Sequence, residues 1–133
     1  MAGKAHARRM KFMLDSNVVI AVALAVDARL KRRMAEHGEG DFVMSAITYA
    51  EVTHGSARGK PPPLPELQAL IEEIPVLAFD EQAGRAYGQI SFKRASYDRL
   101  IAAHALSLGL IVVTNNEADF ADVPGLVVEN WTV

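Results

Sequence analysis

The chain has 133 residues, half of them hydrophobic, with no cysteine and a net charge of −2. That length suggests one domain with a real core, and the lack of cysteine excludes a disulfide framework and a thiolate metal site, so a bound metal would need oxygen or nitrogen ligands, as hard cations prefer. The slight negative charge argues against a general nucleic-acid coat protein, which would be basic, and the longest apolar run, Val18 to Val26, falls short of the ~18 residues that span a bilayer.

Met1 to Met10 is basic (Lys4, His6, Arg8, Arg9) and lacks an apolar stretch long enough for a secretory signal. We read 1–9 as a loose tail, 10–133 as the domain, and the cytoplasm as the location. Lys11 to Leu14 rises through apolar residues to Asp15 and reads as a buried strand ending at that carboxylate. Val18 to Ala25 reads as a buried helix and Ala28 to His37 as a charged one, ended by Gly38 and Gly40. The basic run Arg29-Leu30-Lys31-Arg32-Arg33 fits a solvated helix face. Asp41 to Ser45 is a short strand. A helix over Ala46 to Arg58 follows, with Ile47, Ala50 and Val52 on its apolar side, until Gly59-Lys60-Pro61-Pro62-Pro63 breaks it.

Leu64 to Glu73 resumes as helix, with Leu67, Leu70, Ile71 and Ile74 at helical spacing. Val76 to Phe79 is a strand, and Asp80 starts a helix that presents Ala83, Ala86, Tyr87 and Ile90. Ser91 to Ala95 is a brief basic connection. Ser96 caps the next helix, Tyr97 to Leu108, and Gly109 ends it. Leu110 to Thr114 is the clearest strand, apolar and β-branched. Asn115 to Phe120 reads as a polar turn and short helix, and Leu126 to Val128 as a last strand. Short apolar strands alternating with helices predict an α/β fold: a parallel sheet covered on both faces.

Four acids fall just past predicted strands or in the first turns of helices: Asp15, Glu51, Asp98 and Asp119. In a parallel sheet every strand points the same way, so these positions crowd one edge, where open α/β sheets bind ligands. Carboxylates gathered there repel one another unless a cation neutralises them. Mg²⁺ takes a few carboxylates, keeps waters and leaves room for a phosphate oxygen, a setting suited to in-line phosphoryl displacement. Each acid also has a plain structural role open to it. Asp15 fits an N-cap, Thr48-x-x-Glu51 a capping box, Asp98 a helix first turn favoured by the dipole, and Asp119 a polar surface turn. Asn17, Thr114, Asn115 and Asn116 lie at the same edge and suit the orienting of carboxylates or waters. His104 and His54 read as packed, hydrogen-bonded histidines. No Ser-His-Asp arrangement, GxGxxG or GKS/T phosphate loop is present.

Met13-Leu14-Asp15-Ser16-Asn17, Ser45 to Val52, Tyr97-Asp98-Arg99-Leu100-Ile101-Ala102-Ala103-His104-Ala105 and Val113 to Phe120 resemble PIN domains, in particular the VapC toxins of bacterial VapBC toxin–antitoxin pairs. The likeness runs from about Met10 to Trp131. It implies a three-layer α/β/α fold, a Mg²⁺- or Mn²⁺-dependent endoribonuclease, a homodimer, and inhibition by a cognate VapB antitoxin whose C-terminal segment enters the acidic site. By position, Asp15 and Asp98 match the family's main metal ligands, Glu51 and Asp119 its other two acids, and Thr114 a polar residue beside them. Ser16 stands where Thr is commoner, and the segment between Ile90 and Asp98 is shorter than in many members. Two other readings compete: an inert PIN-like interaction module, and a receiver-like Mg²⁺-binding module. The second needs a Lys near the last strand, and none follows Glu117.

Overall fold

The strands are short and all parallel. The computed structural model describes residues 10–91 and 96–133. The tail expected at 1–9 and most of the basic connection expected at 91–95 lie outside the described residues. Phe12–Leu14 (β1), Phe42–Ser45 (β2), Val76–Leu77 (β3), Ile111–Val113 (β4) and Val128–Glu129 (β5) form one sheet in the order β3-β2-β1-β4-β5. Between them run six α-helices among the described residues: Ser16–Leu24 (α1), Ala28–Ala35 (α2), Ala46–Ser56 (α3), Leu64–Glu73 (α4), Glu81–Gln89 (α5) and Tyr97–Leu108 (α6). A 3-10 turn, Glu117–Asp119, follows β4.

Alternation along the strands divides the core between the two faces of the sheet. Phe12, Leu14, Phe42, Met44 and Val113 pack with Val18 and Val19 of α1, Leu30 of α2, Val52 of α3 and Leu67 of α4. Met13, Val43 and Val112 face the other way, onto Ile101, Ala102 and Ala105 of α6, with Phe120 and Val123. The sheet thus has helices on both faces, giving the three-layer α/β/α architecture expected from the sequence. The small residues Ala102, Ala103 and Ala105, all fully buried, let α6 lie close to the sheet.

Most ends are set by caps. Asp15, Asp27, Ser45, Asp80 and Ser96 each accept a backbone N–H at the start of a helix. Gly109, at φ 68°, closes α6 in the left-handed conformation that glycine adopts without a Cβ penalty, as expected. The strand expected at Val76 to Phe79 is confined to Val76–Leu77, the helix expected over Ala28 to His37 ends at Ala35, and three further expectations need correcting. The helix from Ala46 stops at Ser56, short of Arg58, and its inward stripe is Thr48, Val52 and Ser56, while Ala50 faces solvent. Thr48 is not the cap of a capping box: Ser45 caps this helix through the Ile47 N–H at 3.0 Å, and Thr48 is buried. The last strand is shifted to Val128–Glu129 because Leu126 still belongs to a turn, with its N–H on the Val123 carbonyl.

The chain steps from β1 to β2 to β3 in one direction, then returns to add β4 and β5 on the far side of β1. The order therefore reverses between β1 and β4. Outside the carboxyl ends of two such strands the connections diverge and leave a crevice, and Asp15 and Thr114 are the residues that follow β1 and β4 there.

Candidate functional site

Asp15 ends β1 and caps α1. Its Oδ1 accepts the Val18 N–H at 3.1 Å, and its Oδ2 accepts the hydroxyl of Thr114. Only 5% of Asp15 and none of Thr114 is exposed. The capping role and a place in the acidic cluster are not alternatives here, because each carboxylate oxygen keeps lone-pair capacity beyond one hydrogen bond. Burial pushes the Asp15 carboxyl above its ordinary value; the bonds from Thr114 and Val18 oppose this, and the charges of Glu51 and Asp119 add to it.

Asp98 stands in the first turn of α6, which Ser96 caps. Its carboxyl is raised to about 6, first by burial, then by the charge of Asp119 and a hydrogen bond with it, and further by Glu51 and Asp15. Acids separated by up to 104 positions thus feel one another across one edge of the sheet (Asp15 to Asp119). Glu51 and Asp119 lie within electrostatic range of both Asp15 and Asp98.

Neighbouring polar groups fix the acids in place. Ser16 Oγ donates to Glu51 Oε1 at 2.7 Å, joining the start of α1 to the second turn of α3. Asn116 Nδ2 donates to Asp119 Oδ2 at 2.6 Å, while the Asn116 N–H donates to Thr114 Oγ1 at 3.0 Å. A continuous path therefore runs from Asp15 through Thr114 and Asn116 to Asp119. Asn17 lies further out, exposed, with its Nδ2 3.5 Å from Asn115 Oδ1.

The histidines divide. His104 is 2% exposed, its Nδ1 is 2.7 Å from Ser45 Oγ, and Phe79 meets it edge-on, so it is packed and hydrogen-bonded as expected. Burial holds its pKa below the ordinary histidine value. His54, expected to be packed as well, is exposed near the end of α3.

Sequence reasoning passed over two features of the site. Ser16 appears in it only as a departure from Thr, although a hydroxyl directly after Asp15 was a usable signal. The pairing of Arg99 with Asp122 carried no signal, since nothing in their spacing links them.

The donor set suits a hard cation in kind: all oxygen, acidic, and held above ordinary carboxyl pKa values at Asp15 and Asp98 by burial first and by the neighbouring acids after it. It is an open cluster. Among the described residues no three His, Asp or Glu side chains by themselves form a metal-holding group. Mg²⁺ needs no closed cage, since it commonly binds through one or two carboxylates and keeps its waters.

A parallel sheet of this order with acids massed outside β1 and β4 defines a class, and the comparison with known proteins names it. The PIN domain family model matches residues 12–126, so the chain belongs to the PIN domain family. Its relatives there carry the name VapC. The chain is 33% identical over 132 residues to the tRNA(fMet)-specific endonuclease VapC of Shigella flexneri, covering 92% of this chain and 99% of that protein. It is 34% identical over 131 residues to the protein of the same name from Salmonella typhimurium, covering 92% and 98%. The solved structure of DNA-bound VapBC from Salmonella typhimurium superimposes with a TM-score of 0.79 at 32% identity, over 92% of this chain and 98% of that one.

Proposed function

We propose that this protein is a Mg²⁺- or Mn²⁺-dependent endoribonuclease and the toxin of a toxin–antitoxin pair. The observation that carries the reading is the convergence of Asp15, Glu51, Asp98 and Asp119 on the edge outside β1 and β4. The similarity to endonucleases named VapC supports RNA as the substrate, and the likeness to a VapBC structure supports a VapB-type antitoxin as partner. A homodimer and a cytoplasmic location belong to the same proposal. No described helix is long and apolar enough to cross a membrane.

In this reading Asp15 and Asp98 hold the cation. When bound, the cation polarises a phosphodiester oxygen and lowers the pKa of an attacking water. Thr114 fixes the rotamer of Asp15, and Asn116 that of Asp119. Ser16 occupies Glu51 Oε1 and leaves Oε2 to accept a proton. Unpaired RNA suits so open a site, because its backbone is accessible.

The inert PIN-like reading requires that the acids have lost their purpose, yet the charges of Glu51 and Asp119 still act on both Asp15 and Asp98. The receiver-like reading still lacks its lysine. The test is cleavage of a single-stranded RNA by the full chain with Mn²⁺, with Mn²⁺ plus chelator, and by Asp15→Asn. The expected result is cleavage only in the first case, with an unchanged circular dichroism spectrum for the variant. An Asp15→Asn protein that cuts at the wild-type rate refutes the reading.

A further inference from the structure

At the rim of the acidic cluster Arg99 and Asp122 meet fork to fork: Nη2 lies 2.7 Å from Oδ2, and Nη1 bonds Oδ1. Such bidentate pairs fix geometry as well as charge. Arg99 directly follows Asp98 in α6, and Asp122 lies three positions past Asp119, so the pair joins the two segments that carry the closest acids. The Arg99 side chain is only 17% exposed, unlike the loose ends of an ordinary surface pair, though Asp122 is 56% exposed. The turn bearing Asp119 is also fastened on its inner side, where Phe120 and Val123 are buried with Ile101, Ala102 and Ala105 of α6.

The pair has a second consequence, in charge. The positive charge of Arg99 is favoured first by Asp122, then by Asp98 and Asp119. Engaged by Asp122, it is neutralised and held.

We propose that Arg99 and Asp122 form a clasp that positions Asp119 against Asp98. Both are positioning residues, and the inference rests on the nuclease reading above. The test is a double-mutant cycle on the full chain, Arg99→Gln, Asp122→Asn and the two together. Mn²⁺ affinity is read by calorimetry, and amide exchange over 117–123 is read in metal-free protein. The Phe120 and Val123 N–H groups are hydrogen-bonded to Glu117 and Phe120 carbonyls and report the turn directly.

Each single change is expected to weaken Mn²⁺ binding about tenfold, the lower end of what groups supporting metal ligands contribute. The double variant is expected to be no worse than the weaker single one, because the two act as one unit. Exchange at Phe120 and Val123 should quicken in all three, while circular dichroism stays that of wild type. Variants that bind Mn²⁺ as tightly as a binding wild type overturn the clasp alone, as do effects of the two changes that simply add. Wild-type protein that takes up no Mn²⁺ overturns the nuclease reading as well.

Discussion

Thr114, the residue after β4, donates a hydrogen bond from its hydroxyl to the Oδ2 of Asp15, the residue after β1. This joins the two strands at the point where the sheet order reverses, and the same oxygen of Thr114 accepts the Asn116 N–H at 3.0 Å. One fully buried hydroxyl therefore organises Asp15 and, through Asn116, Asp119. Thr114→Val keeps the shape and removes both bonds. It should lower RNA cleavage about tenfold or more and destabilise the fold by about 1–3 kcal/mol, since a buried acceptor and a backbone donor lose their partners. Thr114→Ser should retain most activity. Cleavage rates and urea unfolding of the two variants check this.

Asp98 makes the metal-free protein sensitive to pH. Its carboxyl titrates at about 6 here against an ordinary 3.8. Between those values the folded chain holds a proton that the unfolded chain has released, so this group's contribution falls as pH rises from 3.8 through about 6. His104 works in the opposite sense, because its lowered pKa favours the neutral ring that forms as pH rises. Comparison with Asp98→Asn isolates the carboxyl. Without metal at neutral pH, the variant should melt a few degrees higher than wild type, and the gap should close on acidification below 3.8. Mn²⁺ should raise the melting temperature of the wild type and not that of the variant. Thermal melts across pH, with and without Mn²⁺, decide it.

The C-terminal end is anchored by Trp131. The indole is fully buried, 4.8 Å from the Phe12 ring and 5.2 Å from His37, which stacks flat on it. Its N–H donates to Glu129 Oε1 at 2.8 Å, and the Arg33 guanidinium lies over the ring at 5.0 Å. Trp131→Ala should cost about 3–5 kcal/mol, the usual loss for a large buried aromatic. Trp131→Phe should cost less and leave Glu129 without the indole donor. Chemical denaturation measures both.

The sequence reveals the sheet readily because strands such as Phe12–Leu14 and Ile111–Val113 are buried on both faces and are apolar without interruption. It reveals α3 poorly. The inward stripe of that helix carries two hydroxyls, Thr48 and Ser56, around Val52, so an apolar count points to the wrong face and puts Ala50 inside. Glu129 hides β5 in the same way: a charged residue does not suggest a strand, yet here it serves the Trp131 indole and lies 3.5 Å from Arg33. In the site, the placing of Asp15 follows from strand polarity, since it is the residue after β1, whereas Asp98 follows no strand and is placed by the helix that leads back to β4. The side-chain pairs around them are not readable from a sequence, because Ser16 with Glu51 and Arg99 with Asp122 are paired by tertiary packing across 35 and 23 positions.

The central claim is that the carboxylates of Asp15 and Asp98 share one divalent ion. Anomalous diffraction from crystals of the full chain grown with Mn²⁺, at a pH where Asp98 has lost its proton, tests it most directly. The account predicts a single strong peak within ligand distance of both carboxylates, outside the ends of β1 and β4. Ordered Mn²⁺ found only elsewhere, or clear density for both side chains with no ion between them, would contradict it.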